Sequence, residues 1–242
     1  MRKNEFIRGN LVMKGKLIII ESGSDASGKE TQSKKLYERL IKEGYKVRKI
    51  EFPNYDSDSS ALVKMYLNGD FGKNPNDVNP YIASTFYAVD RYASFKTEWE
   101  EFYLNGGIIL ADRYTTSNMV HQASKLQGKE KDKFLDWLWN LEFEMYKLPI
   151  PDCVIFLDVP TEYSKKLMED RANKFTGTQK KDIHENSVKH LTDAYNNSLY
   201  VVEKYNWVKV DCVKCNELAS IDEIHEDVYK ITKDMLSVFS SI

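Results

Sequence analysis

Short apolar runs alternate along the chain with longer stretches in which apolar residues recur every three or four positions. That alternation predicts a parallel sheet covered by helices on both faces. The runs place five parallel strands at Lys16–Glu21, Lys46–Glu51, Gly107–Asp112, Cys153–Asp158 and Trp207–Asp211. Helical spacing appears at Leu36 and Leu40, and again at Ile82, Phe86, Val89 and Ala93. It continues at Phe134, Leu138, Leu141, Met145 and Leu148, and at Val188, Leu191, Tyr195, Leu199 and Val202. Most of these apolar positions are expected to face the core. Gly44 ends the first helical stretch, Asn105-Gly106-Gly107 turns into the third strand, and Pro149 with Pro151 breaks the chain before the fourth. The expected fold class is α/β, a three-layer sandwich around a five-stranded parallel sheet.

With 242 residues, 42% of them hydrophobic, the chain can bury one substantial core without disulfides or a structural metal. Residues 15–242 are therefore expected to form a single domain. Residues 1–14 show no period and are expected to be a mobile extension. Lys and Arg number 35 against 37 Asp and Glu, a net charge of -2 that gives no global attraction for a nucleic-acid polymer or an anionic membrane. The longest apolar runs are too short to span a bilayer and the charged start has no apolar centre, so the expected compartment is the cytoplasm. Three cysteines, Cys153, Cys212 and Cys215, suit a reducing environment. Cys212 and Cys215 lack further ligands at zinc spacing and are expected to be unpaired thiols.

The chemistry begins between the first strand and the first helix, at Gly23-Ser24-Asp25-Ala26-Ser27-Gly28-Lys29. Two glycines five positions apart let the backbone curl so that several N–H groups point inward, and the helix that follows adds its positive end. A polyphosphate fits that ring of donors, with Lys29 neutralising the outer phosphates. This is a phosphate-binding loop of the P-loop NTPase type. Where such loops carry a Ser or Thr that touches Mg²⁺, Glu30 stands here, with Thr31 one place later. The third strand ends in Asp112-Arg113, where open sheets bind ligands. Asp112 is a candidate Mg²⁺ ligand, and Arg113 can grip a phosphate with two parallel hydrogen bonds. Tyr87 and Arg91, four apart, share a helix face offset from the apolar stripe. There a ring could stack on a nucleobase and a guanidinium donate to its carbonyl. From Asp170 to Asp182 the chain is polar, basic and Gly-containing, and it is expected to form a lid that closes on reacting phosphates.

Six motifs in order carry a family resemblance: Gly23–Gln32 (GSDASGKETQ), Phe52-Pro53-Asn54-Tyr55, Phe86–Arg91 (FYAVDR), Asp112–Gln122 (DRYTTSNMVHQ), Leu157-Asp158-Val159-Pro160 and Lys181–Glu185 (KDIHE). Over about residues 16–211 the chain resembles thymidylate kinases. The resemblance implies a nucleoside monophosphate kinase domain, transfer of phosphate from ATP to dTMP with Mg²⁺, and a homodimer. By the same resemblance Gly23, Ser24, Ala26, Ser27, Gly28, Lys29, Glu30 and Thr31 would hold ATP. Asp25 would approach the dTMP sugar and the attacked phosphate, sharing the metal with Asp112. Tyr87 would stack on thymine, Arg91 reach a thymine carbonyl, Arg113 take the dTMP phosphate, and Phe52, Pro53, Ser117, Asn118 and Gln122 complete the pocket. Relatives without an arginine in the phosphate loop supply one from the lid, and Ala26 occupies that loop position here, so Arg171 would be the lid cation. Asn54, Glu30 and His121 depart from residues that some relatives carry.

Two other functions share parts of this pattern. A deoxynucleoside kinase has the same fold, but it needs an acid one turn after the second strand to deprotonate a 5′-hydroxyl, and typically Glu-Arg-Ser at the third strand. A regulatory nucleotide-binding protein without turnover could use the loop with Glu30 as its disabling change. Retention of Asp25, Arg91, Arg113 and the basic lid argues against it.

Overall fold

The computed structural model describes residues 14–24, 26–174 and 188–238, with the backbone alone at 169–174, 188 and 238. Five strands form one parallel sheet: β1 (Lys16–Ser22), β2 (Val47–Glu51), β3 (Ile108–Asp112), β4 (Cys153–Asp158) and β5 (Val208–Asp211). Each end lies within one residue of the position that the apolar runs predict. The strand order is β2-β3-β1-β4-β5. After β3 the chain therefore crosses over β1 to start the other half of the sheet. Ligands bind at such switch points, outside the carboxyl ends of the strands.

The helices are α1 (Lys29–Lys42), α2 (Ala61–Leu67), α3 (Pro80–Ser94), α4 (Glu100–Leu104), α5 (Thr115–His121), α6 (Gly128–Trp139), α7 (Thr161–Lys174), α8 (Val188–Lys204) and α9 (Ile221–Val238). Strand residues alternate between the two faces. Leu17 and Ile19 pack with Trp99, Tyr103, Phe134 and Val201 on one side. Ile18 and Ile20 pack with Leu36 and Leu40 of α1 and Val228 of α9 on the other. None of the described helices is long and apolar enough to cross a membrane.

Three helical expectations fail in an instructive way. In α3 the stripe Ile82, Phe86, Val89 and Ala93 was expected to be core, yet Ile82 is 54% exposed and Val89 is exposed too. The buried face carries Ala83, Ser84, Ala88, Arg91 and Ser94, because α3 lays its small and polar side against the protein. After α6 the chain enters a π-helical turn, Asn140–Met145, in which the Tyr146 N–H reaches back five residues to the Leu141 carbonyl. The wider turn moves the inward positions from Leu141 and Met145 to Glu142 and Phe143, and leaves Met145 66% exposed. In α8 Leu199 is also exposed, while Ala194, Asn197, Ser198 and Val201 are buried. Beyond β5, a small antiparallel hairpin, β6 (Val213–Lys214) and β7 (Glu217–Leu218), has no counterpart in the predicted elements. Cys215 and Asn216 at its tip take positive φ of 51° and 63°, as two-residue hairpin turns require. Cys212 is buried, Cys215 is exposed, and both are free thiols.

The two glycines of the phosphate loop serve different needs. Gly28 caps α1 at φ 86°, a left-handed conformation with open space around it. A Cβ on Gly23 would stand 2.4 Å from Ser198 Oγ and 3.1 Å from the Tyr195 backbone, so Gly23 permits the close approach of α8. Gly23→Ala should lower the unfolding free energy by about 1–3 kcal/mol, the usual cost of overpacking. A urea titration monitored by circular dichroism would read the shift, and an unchanged midpoint would refute the close-contact account.

Candidate active site

β1 ends at Ser22 and α1 begins at Lys29, so the intervening loop curls over the amino end of α1, where the first N–H groups have no helical acceptor. Ala26 at φ 56° joins Gly28 in the left-handed region. Lys29 is buried, and its ammonium donates to Ser22 Oγ at 2.8 Å and the Ser24 carbonyl at 3.2 Å. Ser27 Oγ donates to Ser22 Oγ at 2.7 Å, and Ser22 Oγ donates to the Ser24 carbonyl, also at 2.7 Å. The loop thus closes on its own lysine. Glu30 and Thr31 are exposed on the first turn of α1. Asp25 lies outside the described residues, as do the side chain of Arg171 and residues 175–182 of the expected lid, whose first residues continue α7 as helix to Lys174.

Beside the loop, at the carboxyl edge of β2 and β3, one cavity is lined by Phe52, Pro53, Tyr87 and Arg91 together with Arg113, Ser117, Asn118 and Gln122. Apart from Asp25, every expected acceptor-site residue is thereby brought together. His121 lines it as well. The Phe52–Pro53 peptide is cis. The loop that carries it is tied to α3 by Asp90, whose carboxylate accepts the Asn54 N–H at 2.9 Å and Ser59 Oγ at 2.6 Å. Arg113 takes φ 65° and places Nη1 3.2 Å from His121 Nε2, which must accept because a guanidinium only donates. Asp112 is buried at the end of β3, and among the described residues no cluster of three His, Cys, Asp or Glu side chains forms a metal cage.

Arg91 is 1% exposed, far more buried than a surface-facing arginine. Glu142, delivered by the π turn, grips it with a fork: Nε donates to Oε2 at 2.7 Å and Nη2 to Oε1 at 2.6 Å. Nη2 also donates to Asn118 Oδ1 at 3.0 Å, and Nη1 to the Tyr114 carbonyl at 3.3 Å. Thr115 Oγ1 donates to the same Glu142 at 2.6 Å, and Asn118 Nδ2 donates to Ser84 Oγ at 3.0 Å. Counting donors, one Nη1 hydrogen of Arg91 has no acceptor among the described residues.

Behind the opposite wall stands Tyr66, fully buried and edge-on to Tyr87 with centroids 6.3 Å apart. Its hydroxyl accepts from Lys125 Nζ at 3.0 Å and lies 3.5 Å from Gln122 Nε2. Burial pushes Lys125 down to about 8. Gln122 Oε1 is buried, and no donor among the described residues reaches it.

Sequence reading missed Glu142, Asp90 and Tyr66. Asp90 could have been suspected from its place beside Arg91. Glu142 carries no such signal, because regular helical spacing assigns the inward position to Leu141.

An arginine and a glutamate buried together are held by each other. Removing one partner from such a pair costs about 3–5 kcal/mol, because the other charge is left without compensation. Glu142→Ala should therefore lower the unfolding free energy by about that much in urea. Combining Arg91→Met with Glu142→Leu should recover most of the loss. A Glu142→Ala chain as stable as the unmodified one would show that the pair does not anchor this region.

A sequence model of the thymidylate kinase family matches residues 20–213. A thymidylate kinase of Plasmodium falciparum (isolate 3D7) is 28% identical over 223 residues, which is 91% of each chain. The human thymidylate kinase is 26% identical over 224 residues, covering 92% of each. A solved structure of thymidylate kinase from Candida albicans superposes with a TM-score of 0.65 at 22% identity, over 91% of this chain and 92% of that one. That likeness fixes the fold, and the family match extends through both halves of the sheet.

Proposed function

The chain belongs to the thymidylate kinase family, and from that membership we propose how its residues divide the work. It is a phosphotransferase that phosphorylates dTMP to dTDP, with ATP as the phosphoryl donor. The observation that carries the residue assignments is the convergence of Tyr87, Arg91, Arg113 and Gln122 on one cavity beside the phosphate loop. The deoxynucleoside kinase and the regulatory protein without turnover are not favoured.

Phosphoryl transfer asks little covalent chemistry of a protein, so positioning and charge neutralisation do most of it. ATP phosphates lie against the loop from Gly23 to Thr31, where Lys29 exchanges its contacts with Ser22 and Ser24 for phosphate oxygens. Arg113 holds the phosphate of dTMP, and Asp25 stands near the sugar and the attacked phosphate. No general base is needed, because the acceptor phosphate is already an anion. Asp112, with Asp25, suits Mg²⁺, which keeps most of its shell as water and substrate phosphate and needs few protein carboxylates. The metal supplies neutralisation of the charge shared between the phosphates. Arg171 is the cation that the basic segment at about 170–182 would bring to the phosphates as a lid.

At the other end of the cavity the ring of Tyr87 stacks on the base, and the remaining Nη1 hydrogen of Arg91 meets a thymine carbonyl. Gln122 Oε1 adds a buried acceptor to the wall of this end of the cavity. Cytosine offers an amino donor where Arg91 needs an acceptor, a mismatch costing about 1–3 kcal/mol for each buried unpaired group. The apolar surface of Ile82, Val89, Tyr92 and Met145, all exposed, supports a homodimer through α3 and the π turn after α6. Free thiols and the lack of a membrane-length apolar helix among the described residues fit a cytoplasmic enzyme.

A coupled assay for ADP formation should show turnover of dTMP, weaker turnover of dUMP by roughly 10–200-fold for the lost methyl group, and little of CMP, UMP or thymidine. Conversion of thymidine but not dTMP would end this reading. Arg171→Ala should lower kcat on the order of 10³-fold with a small change in KM for dTMP, as expected of a cation that acts on transition-state charge. A loss of tenfold or less would point to Lys174, Lys180 or Lys181 instead.

A further inference from the structure

Glu21 is the second-to-last residue of β1, wholly buried, and has no role in the reaction as set out above. Successive strand residues point to opposite sides. Ser22 accordingly turns into the phosphate loop toward Lys29, and Glu21 turns toward the first turn of α5. Its carboxylate accepts three hydrogen bonds. Oε1 takes the Ser22 N–H at 3.0 Å, and Oε2 takes Thr116 Oγ1 at 2.7 Å and Ser117 Oγ at 2.6 Å.

The consequence lies at Ser117, which lines the cavity. A carboxylate only accepts, and a serine hydroxyl has a single hydrogen. Ser117 commits that hydrogen to Glu21, so the oxygen it turns to the cavity offers lone pairs alone. We propose that Glu21 is a positioning residue that fixes the Ser117 hydroxyl as a hydrogen-bond acceptor for a donor group of the acceptor nucleotide. The proposal rests on the reading of this cavity as the dTMP site. A deoxynucleoside monophosphate brings two such donors, the ring N–H of the base and the 3′-hydroxyl of the sugar. A phosphate oxygen, which needs a donor, would be turned away from Ser117, leaving that group to Arg113.

Glu21→Gln tests the polarity directly. The Ser22 N–H can only donate, so it holds the amide oxygen on its side and leaves the amide NH₂ facing Thr116 and Ser117. That NH₂ donates to Ser117 Oγ, and the serine hydrogen swings toward the cavity, where it opposes the ligand's donor. The KM for dTMP should rise about tenfold, the effect of one mispaired hydrogen bond, while kcat changes less than twofold. If the ring N–H is the donor, the kcat/KM ratio of dTMP to dCMP should fall about tenfold. If the 3′-hydroxyl is the donor, the ratio of dTMP to 3′-deoxythymidine monophosphate should fall instead. Ser117→Ala leaves the buried carboxylate in place and should lower the same ratio, which keeps the proposal testable should Glu21→Gln fail to fold. Thr116→Val removes the other side-chain donor and should leave both ratios as they are in the unmodified chain. The proposal is overturned if Ser117→Ala leaves both ratios intact. It is equally overturned if Glu21→Gln raises KM by the same factor when Ser117 is already alanine, since the effect would then bypass Ser117. Failure of the unmodified chain to phosphorylate dTMP would overturn the cavity reading itself, before any variant is compared.

Discussion

Taking a guanidinium out of water costs several kcal/mol, and the cavity beside the phosphate loop is organised around offsetting that cost at Arg91. The offset needs Glu142 from the π turn, and Asn118 and the N-cap carbonyl of Tyr114 from α5, so two segments are fixed relative to α3 by one side chain. Asn118 is oriented as a result. Arg91 can only donate, so the amide oxygen faces the guanidinium and the amide nitrogen faces Ser84. The ion pair therefore specifies an arrangement more than it adds stability, since apolar residues of the same volume would often hold the segments at least as well.

The end of β1 applies the same economy to two sites at once. Alternation along a strand sends Ser22 to the phosphate loop and Glu21 to α5, so adjacent residues reach the phosphate loop and the wall of the cavity beside it. The peptide N–H of Ser22 closes the link by donating back to Glu21. A shift of the loop when Lys29 turns from serine oxygens to phosphate would be felt at Ser22 first. Fixing the substrate-facing groups through buried partners keeps them oriented before substrate arrives, which is where preorganised sites gain over flexible ones.

Much of this was legible in the sequence. The inner strands β1, β3 and β4 were legible because buried parallel strands read as near-continuous apolar runs, as in Leu17-Ile18-Ile19-Ile20. The phosphate loop and the strand end at Asp112-Arg113 were legible because their chemistry depends on local order along the chain. The members of the acceptor pocket could be named through family resemblance, and the structure gathers those it describes. Helix faces were less legible. Periodicity reports that a helix has two unlike sides, but it cannot say which side meets the protein.

Two of the failures share a cause. On α3 the polar side turns inward, where Asp90 holds the loop after β2 and Arg91 pairs with Glu142, and this leaves Ile82 and Val89 outside. At Asn140–Met145 a regular helix would have presented Leu141 to the interior, and the π turn substitutes Glu142, the partner that Arg91 requires. Ala26 and Arg113 occupy left-handed backbone that glycine would tolerate better, one in the phosphate loop and one at the acceptor edge. Each departure sets a local rule against a demand of the site, and the demand wins. A chain whose local preferences otherwise agree with its fold should break them where binding and catalysis impose their own geometry. Here the inward polar side of α3 and the π turn meet beside the cavity, where Arg91 and Glu142 hold each other.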